Sequence, residues 1–502
     1  MRKAAISVAA ALALVIAGAA PAAAVDKVNS KKIRDAVTVG GILSHERALQ
    51  RIANQNGGTR ASGTPGFAAS AAYVKNTLAA AGYQVSEQPF TFPLFHELAP
   101  ATLTQDSPNQ VTYETATYSF SGSGTVTGAV VPTSDVQVPP SPEPSSTSGC
   151  EPGDFPPAPA GPAIALIQRG TCTFQIKVSN AVAAGYDAAV IFNEGQPGRT
   201  DVFVGDLGAV FDVPVVGLSF ADGASLYAAT QAGPVTATVT TSTSVETKTT
   251  SNVFGETKGG DPDKVVVVGA HLDSVQAGPG INDNGSGTST ILEIAEQLHA
   301  LKVKPRQKVR FAFWGAEESG LLGSEHYVNT LSDADLGRIY ANLNFDMVGS
   351  PNYVRFVYDG DGSATGASGP PGSAEIEAIF NDYFADQGLA TDPTAFDGRS
   401  DYGPFILVGI PAGGLFSGAE GVKTEEQAAV YGGTAGAPYD PCYHEACDTT
   451  NNLNVSALNE LGDAAAHAVY TLAVTKTGFF PDGSLRAAKR AEMAYKGPHA
   501  IR

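Results

Sequence analysis

Residues 264–273, KVVVVGAHLD, and residues 309–318, VRFAFWGAEE, decide how this chain is read. In each, a continuous apolar run rich in β-branched or aromatic residues ends in side chains that can bind a metal. His271 and Asp273 close the first, Glu317 and Glu318 the second. A third run, YANLNF at 340–345, ends at Asp346. Such runs predict strands covered on both faces, and in open α/β sheets ligands gather at the carboxyl ends of strands. Residues far apart in sequence are therefore expected at one sheet edge. Asp283, from the Gly-rich segment GINDNGSG at 280–287, and His444 are expected to join them there.

Two histidines and four carboxylates in one place carry a large desolvation cost unless a cation lies among them. Zinc takes imidazole nitrogen and carboxylate oxygen, and keeps a position open for water at catalytic sites. The donor count suits two zinc ions, with one bridging carboxylate and one His plus one further carboxylate for each metal. One carboxylate is then left to act as a general base. Adjacent Glu317 and Glu318 can divide these duties if the chain turns after its strand. Each residue also has an ordinary reading: a strand-end His is commonly structural, a Glu-Glu pair a solvated surface, an Asp in DNGSG a turn residue. Order and context together favour the metal.

The segments AHLDS (270–274), GINDNGSGTS (280–289), FWGAEESGLLGS (313–324), NFDMVG (344–349), RSDYGPF (399–405), GGLFSGAE (413–420) and PCYHEACD (441–448) carry a resemblance. Together they resemble the secreted dizinc aminopeptidases of the aminopeptidase Y and bacterial leucine aminopeptidase family, over residues 245–475 and most of 40–90. The resemblance implies an α/β fold, a mixed β-sheet sandwiched between helices, and two Zn2+ per chain. It implies Asp283 as the bridging ligand, His271 and Asp346 completing one site, and Glu318 and His444 the other. Glu317 would be the general base, and Tyr443 would help polarise the scissile carbonyl. The stretches holding Arg399 and Phe416 would line the substrate cleft. Met347 and Phe416 are candidates for an apolar pocket, with plain core packing as the competing reading. Tyr402 stands where many relatives have His, which loosens the match at that step.

The 502 residues leave room for more than one domain and a large core. With 31 basic against 50 acidic residues, the net charge of −19 argues against nucleic acid or an anionic membrane as partner. Met1–Ala24 has the parts of a secretory leader: Arg2-Lys3, an apolar stretch over 4–20, and Ala22-Ala23-Ala24 as a cleavage site. A membrane anchor is the rival reading of that stretch, and no other run reaches the roughly 18 apolar residues of a span. Four cysteines in an exported chain suggest two disulfides. Spacing pairs Cys150 with Cys172 and Cys442 with Cys447, against a four-Cys zinc cluster as the alternative. The short 442–447 loop would restrain Tyr443 and His444 before metal arrives.

The expected organisation is a signal peptide at 1–24, a first part of the catalytic domain at 25–93, an insert at 94–246, the zinc peptidase domain at 247–475 and a basic tail at 476–502. Helices are expected over Val37–Asn54, from Thr64-Pro65-Gly66 to Ala81, over Gly285–Leu301 and over Ala457–Thr475, and a strand over Tyr83–Phe92. The insert is rich in Val, Thr, Ser, Gly and Pro, with strands at Thr125–Val131 and Ala163–Ile167 and a Pro-rich loop at 139–159. Its run 161–194, including a helix at Phe174–Ala184, resembles a protease-associated domain, read as a lid or as a spectator. Gly360–Gly372 reads as a surface loop, and His45, His96, His299, His326, His467 and His499 as surface or hydrogen-bonded residues. The tail has six basic residues against two acids, with disorder, trimming after export and packing on the acidic body as its readings.

The expected function is a secreted, extracellular zinc aminopeptidase acting on peptide or protein N-termini with large apolar residues. Its chain would be monomeric, with no nucleic acid partner and no membrane once the leader is removed. A carboxypeptidase or related dizinc amide hydrolase is the alternative, with Arg399 as receptor for a free carboxylate. A receptor-like binding protein is a further one, disfavoured because no ligand position is lost.

Overall fold

The computed structural model describes residues 26–476. The leader expected at 1–24 and the tail expected at 476–502, Lys476 apart, lie outside the described residues.

Strand Asp261–His271 lies between two parallel neighbours, Gln307–Trp314 and Ile339–Phe345, and Ala412–Phe416 runs parallel beyond the latter. Its side chains alternate between two cores. Val266, Val268 and Ala270 join one core with Ile42, Val74, Ile291 and Leu461, from helices Val39–Gln55, Pro65–Ala80, Gly287–Ala300 and Val455–Val474. Val265 and Val267 join Trp314, Tyr327 and Phe405 on the other face. Burial on both faces is why these strands are apolar at consecutive positions and not at alternate ones.

The helices begin where their caps allow. The Thr38 and Thr64 hydroxyls accept the amides of Gly41 and Phe67, and Pro65 takes the first helical position. Each expected helix is present with ends shifted by one or two residues, which is ordinary fraying at termini.

The strand expected over Tyr83–Phe92 is longer than its sequence pattern. It runs Gln84–Ser107 and pairs antiparallel with Thr236–Glu256 along almost its whole length. Pro89 and Pro93 punctuate the sequence but are tolerated, because over that stretch the strand has a partner on one side only. The expected insert junctions at 93/94 and 246/247 fall on neighbouring rungs of this ladder, where Pro93 faces Thr247 and Leu94 faces Glu246. The insert thus leaves and re-enters along one ribbon. Its strands Gly124–Pro132, Ala163–Gln168, Ala188–Phe192 and Val215–Leu218 extend the same sheet, around cores of their own. Both expected disulfides, Cys150–Cys172 and Cys442–Cys447, are formed.

Candidate metal centre

Three parallel strands deliver four of the residues. His271 is the last residue of its strand, Glu317 and Glu318 follow Trp314 by a short turn, and Asp346 directly follows Phe345. Asp283 lies in the tight turn Ile281–Ser286 that leads into helix Gly287–Ala300. That turn needs Gly280, which has φ +59° and whose added Cβ would lie 2.3 Å from the Asp283 carbonyl oxygen. His444 comes from the loop closed by Cys442–Cys447. Ala316 (φ +54°), Met347 (φ +54°) and His444 (φ +60°) all adopt the left-handed region that side chains disfavour, at or beside a donor. The backbone is held against its preference where the side chains must converge.

Asp283 is the centre of the arrangement. Its Oδ1 lies 3.1 Å from His271 Nε2 and its Oδ2 lies 3.2 Å from His444 Nε2. Asp346 Oδ1 is 3.2 Å from His271 Nε2, and Glu318 Oε2 is 3.1 Å from His444 Nε2. Glu317 Oε2 stands further off, 3.9 Å from His271 Nε2. The donor atoms of His271, Asp283 and Glu318 lie within 4.8 Å of one another, and so do those of His271, Glu317 and Asp346.

A surrounding layer fixes these groups. His271 Nδ1 donates to the Asp273 carbonyl oxygen at 3.1 Å, which turns the Nε2 lone pair to the centre. The Ser400 hydroxyl donates to Asp346 Oδ2 and is itself bonded by the Asn344 amide at 2.8 Å. Asp448 accepts the amides of Asn282 (2.8 Å) and Asp283 (3.0 Å), and so pins the turn from below. Fully buried Arg60 donates to the carbonyls of Leu272, Pro279 and Gly280. The Glu317 amide donates to Asp273 Oδ1 at 3.2 Å.

The electrostatics call for positive charge. Burial acts against a proton on His271, but Asp346, Glu317, Asp273 and Asp283 outweigh it and hold its pKa well above the ordinary value. His444 behaves the same way under Glu318 and Asp283. Burial alone would raise Asp283, yet the two imidazoles hold it well below the usual carboxylate range. Burial and the charge of Asp283 push Glu318 up, and its Oε1 is buried with no hydrogen-bond donor. Burial raises Asp401, behind the site, to about 7. Two imidazole nitrogens, a carboxylate with one oxygen toward each, and two flanking carboxylates form a set that two zinc ions fit.

The cleft over this centre is lined by Asp283, Glu317, Glu318, Asp346 and His444 together with Met347, Tyr358, Thr394, Asp397, Arg399, Phe416 and Tyr443, while His271 lies buried beneath it. Arg399 donates to Glu420 at 2.7 Å and to the Tyr443 hydroxyl oxygen at 3.3 Å. The Tyr443 ring stacks on His444 at 3.8 Å, and burial pushes its hydroxyl pKa well above the ordinary value. Met347 is buried, and Phe416 is partly open and stacks on Phe356. The expected metal donors thus reach one place with Glu317, Tyr443, Met347, Arg399 and Phe416, while Cys150 and Cys172 pair within the insert. His45, which bonds Tyr73, and His467, which bonds Ser30, stay apart from it. Residue types did not point to Ser400 or Asp448 as supports. Asp448 closes the segment PCYHEACD, which was the available signal.

The sequence model of peptidase family M28 matches residues 252–469, and that of the PA domain matches 126–226. An aminopeptidase of Pseudomonas aeruginosa is 47% identical over 442 residues, covering 86% of this chain and 81% of that one. A probable leucine aminopeptidase 2 of Aspergillus fumigatus is 47% identical over 348 residues, covering 69% and 68%. Among solved structures, the aminopeptidase from Aneurinibacillus sp. strain AM-1 superposes with a TM-score of 0.70 at 25% identity, covering 89% of this chain and 97% of that one. A zinc aminopeptidase from Bacillus subtilis gives 0.58 at 27% identity, covering 88% and 96%.

Proposed function

The chain belongs to peptidase family M28 with a PA domain set into it, a zinc-dependent aminopeptidase acting on peptides, and we propose that it holds two zinc ions, is secreted, and prefers large apolar N-terminal residues. The observation that carries the two-ion reading is Asp283, whose two oxygens meet two different imidazoles at 3.1 and 3.2 Å. His271 and Asp346 would complete one site with it, and His444 and Glu318 the other. Bound zinc supplies Lewis acidity, polarising a carbonyl and acidifying water.

The remaining chemistry falls to side chains. Glu317, the carboxylate without a metal to hold, takes the proton of the attacking water and delivers it to the leaving nitrogen. The Tyr443 oxygen accepts from Arg399, so its own hydrogen is available to the oxygen of the carbonyl under attack. Glu317 and Asp346 face the cleft and give the substrate ammonium two carboxylates to meet. Arg399 is engaged with Glu420 and Tyr443, which supports a role in holding Tyr443 over the alternative of a receptor for a peptide carboxylate. All five metal donors come from one chain, in keeping with action as a monomer. The leader sequence and both formed disulfides support secretion. No described helix is long and apolar enough to cross a membrane.

Met347 and Phe416 make the wall for a first side chain. Burying one of leucine size is worth about 1.5–3 kcal/mol, roughly ten- to a hundred-fold in kcat/KM over glycine. The test compares Leu-p-nitroanilide with its N-acetyl form and with a C-terminally amidated peptide. The acetylated compound should be inert and amidation harmless. Comparable cleavage of the acetylated compound, or loss of activity on amidation, contradicts the reading.

A further inference from the structure

Tyr358-Asp359-Gly360-Asp361 leads from the cleft wall into the Gly-rich loop, away from the zinc centre. We propose that Asp359, Asp361 and Glu377 form a calcium-binding site there. Each places a carboxylate oxygen within 4.8 Å of the other two. Among the described residues, none of the three makes an ion pair with a Lys, Arg or His. Three carboxylates therefore share a small space without a protein cation to offset them.

A second observation comes from Asp359 itself. It is fully buried, and its Oδ2 takes three donors: the amides of Ala364 (3.1 Å) and Thr365 (2.6 Å) and the Thr365 hydroxyl (2.7 Å). Its Oδ1 is buried and has no hydrogen-bond donor. A buried carboxylate oxygen left unpaired is costly, and a cation is the partner that answers both this oxygen and the excess charge. Glu377 is held in place from helix Ser373–Asp386, its Oε2 accepting the amides of Gly360 (2.9 Å) and Asp361 (3.2 Å). Burial raises the Glu377 pKa, with Asp361 and Asp359 adding to the shift.

The donor set names the cation. It is all oxygen, with no nitrogen or sulfur, which suits a hard ion, and its loop setting suits the flexible coordination of Ca2+ over the strict octahedron of Mg2+. Asp361 is exposed and gives the ion a way in. The site bears on the cleft, because the Asp359 amide donates to the Thr394 carbonyl at 2.9 Å, and Tyr358 and Thr394 both line it. Calcium bound here ties the outer wall of the cleft to the helix behind it.

The experiment titrates CaCl2 into the zinc-loaded, full-length protein by calorimetry, beside Asp361→Asn. The variant keeps an oxygen for the Ser363 amide, which Asp361 Oδ1 now accepts at 2.8 Å, so the loop retains its turn. Zinc content is measured before and after. Wild type should bind one Ca2+ with a Kd of about 10⁻⁴–10⁻³ M or tighter, the range of extracellular calcium modules. Asp361→Asn should bind it at least roughly tenfold more weakly, and at a given calcium concentration Tm should rise less in the variant than in wild type. No binding by wild type at concentrations roughly tenfold above that range, or equal binding by the variant, overturns the proposal. Binding is read without turnover, so the result is independent of whether the zinc centre hydrolyses peptides.

Discussion

Glu317 and Glu318 are neighbours with different surroundings because the chain bends at Ala316, whose φ is +54°. The bend sends Glu318 to His444 at 3.1 Å and leaves Glu317 at 3.9 Å from His271. Glu317→Gln should therefore keep zinc and substrate affinity while kcat falls by about 10²–10⁴, the usual loss for a general base. Steady-state kinetics with zinc analysis check this, and near wild-type kcat would remove Glu317 from the role. Ser400 acts at one remove, through its bond to Asp346. Ser400→Ala should weaken zinc binding or activity about 10–100-fold, the typical effect of losing a partner of a metal ligand, in a protein that melts normally. The candidate metal donors were legible in the sequence only as a set, because each alone has a commoner structural or surface reading, whereas their order and the buried runs that precede them point together to a metal. Ser400 and Asp448 were not, because the value of a hydroxyl or a loop carboxylate depends on which group it meets, and no periodicity records that.

Strands and turns divided in the same way. The run at 265–270 announced a strand buried on both faces, and the structure places every one of these residues in the core apart from Gly269, whose missing side chain makes room for the Trp314 indole at 2.6 Å from an added Cβ. The extension of the Gln84–Ser107 strand past Pro93 was hidden, since proline reads as an interruption unless the strand is known to have an open side. The Cys442–Cys447 loop is the element whose shape bears most on function, for it holds His444 at a positive φ beside Tyr443. Replacing both cysteines by serine should leave the fold and the His271-side zinc intact. The His444-side zinc should bind more weakly, because the loop must now be ordered at the moment of binding. Stepwise zinc release against a chelator measures this, and two unchanged affinities would show the disulfide to be irrelevant to the site.

At the scale of the whole molecule, donors from positions 271 to 444 converge because three parallel strands end at one edge while a helix-leading turn and a disulfide loop fold back over it. The insert was legible as a separate piece by composition. Its coupling to the rest was not, since a ladder in which Pro93 faces Thr247 is set by pairing between distant segments that carry no common local signal. On the cleft side, the insert residues Asp206–Val210 and the catalytic-domain residues Ser319–Leu322 line one groove, so the insert borders the turn that follows Glu317 and Glu318.

The most direct measurement of the central claim is zinc per chain, by elemental analysis of dialysed wild type, Asp283→Ala and His444→Ala. One carboxylate serving two imidazoles predicts about two zinc for wild type, close to none for Asp283→Ala and about one for His444→Ala. A single zinc in wild type, or two retained by Asp283→Ala, would contradict the account.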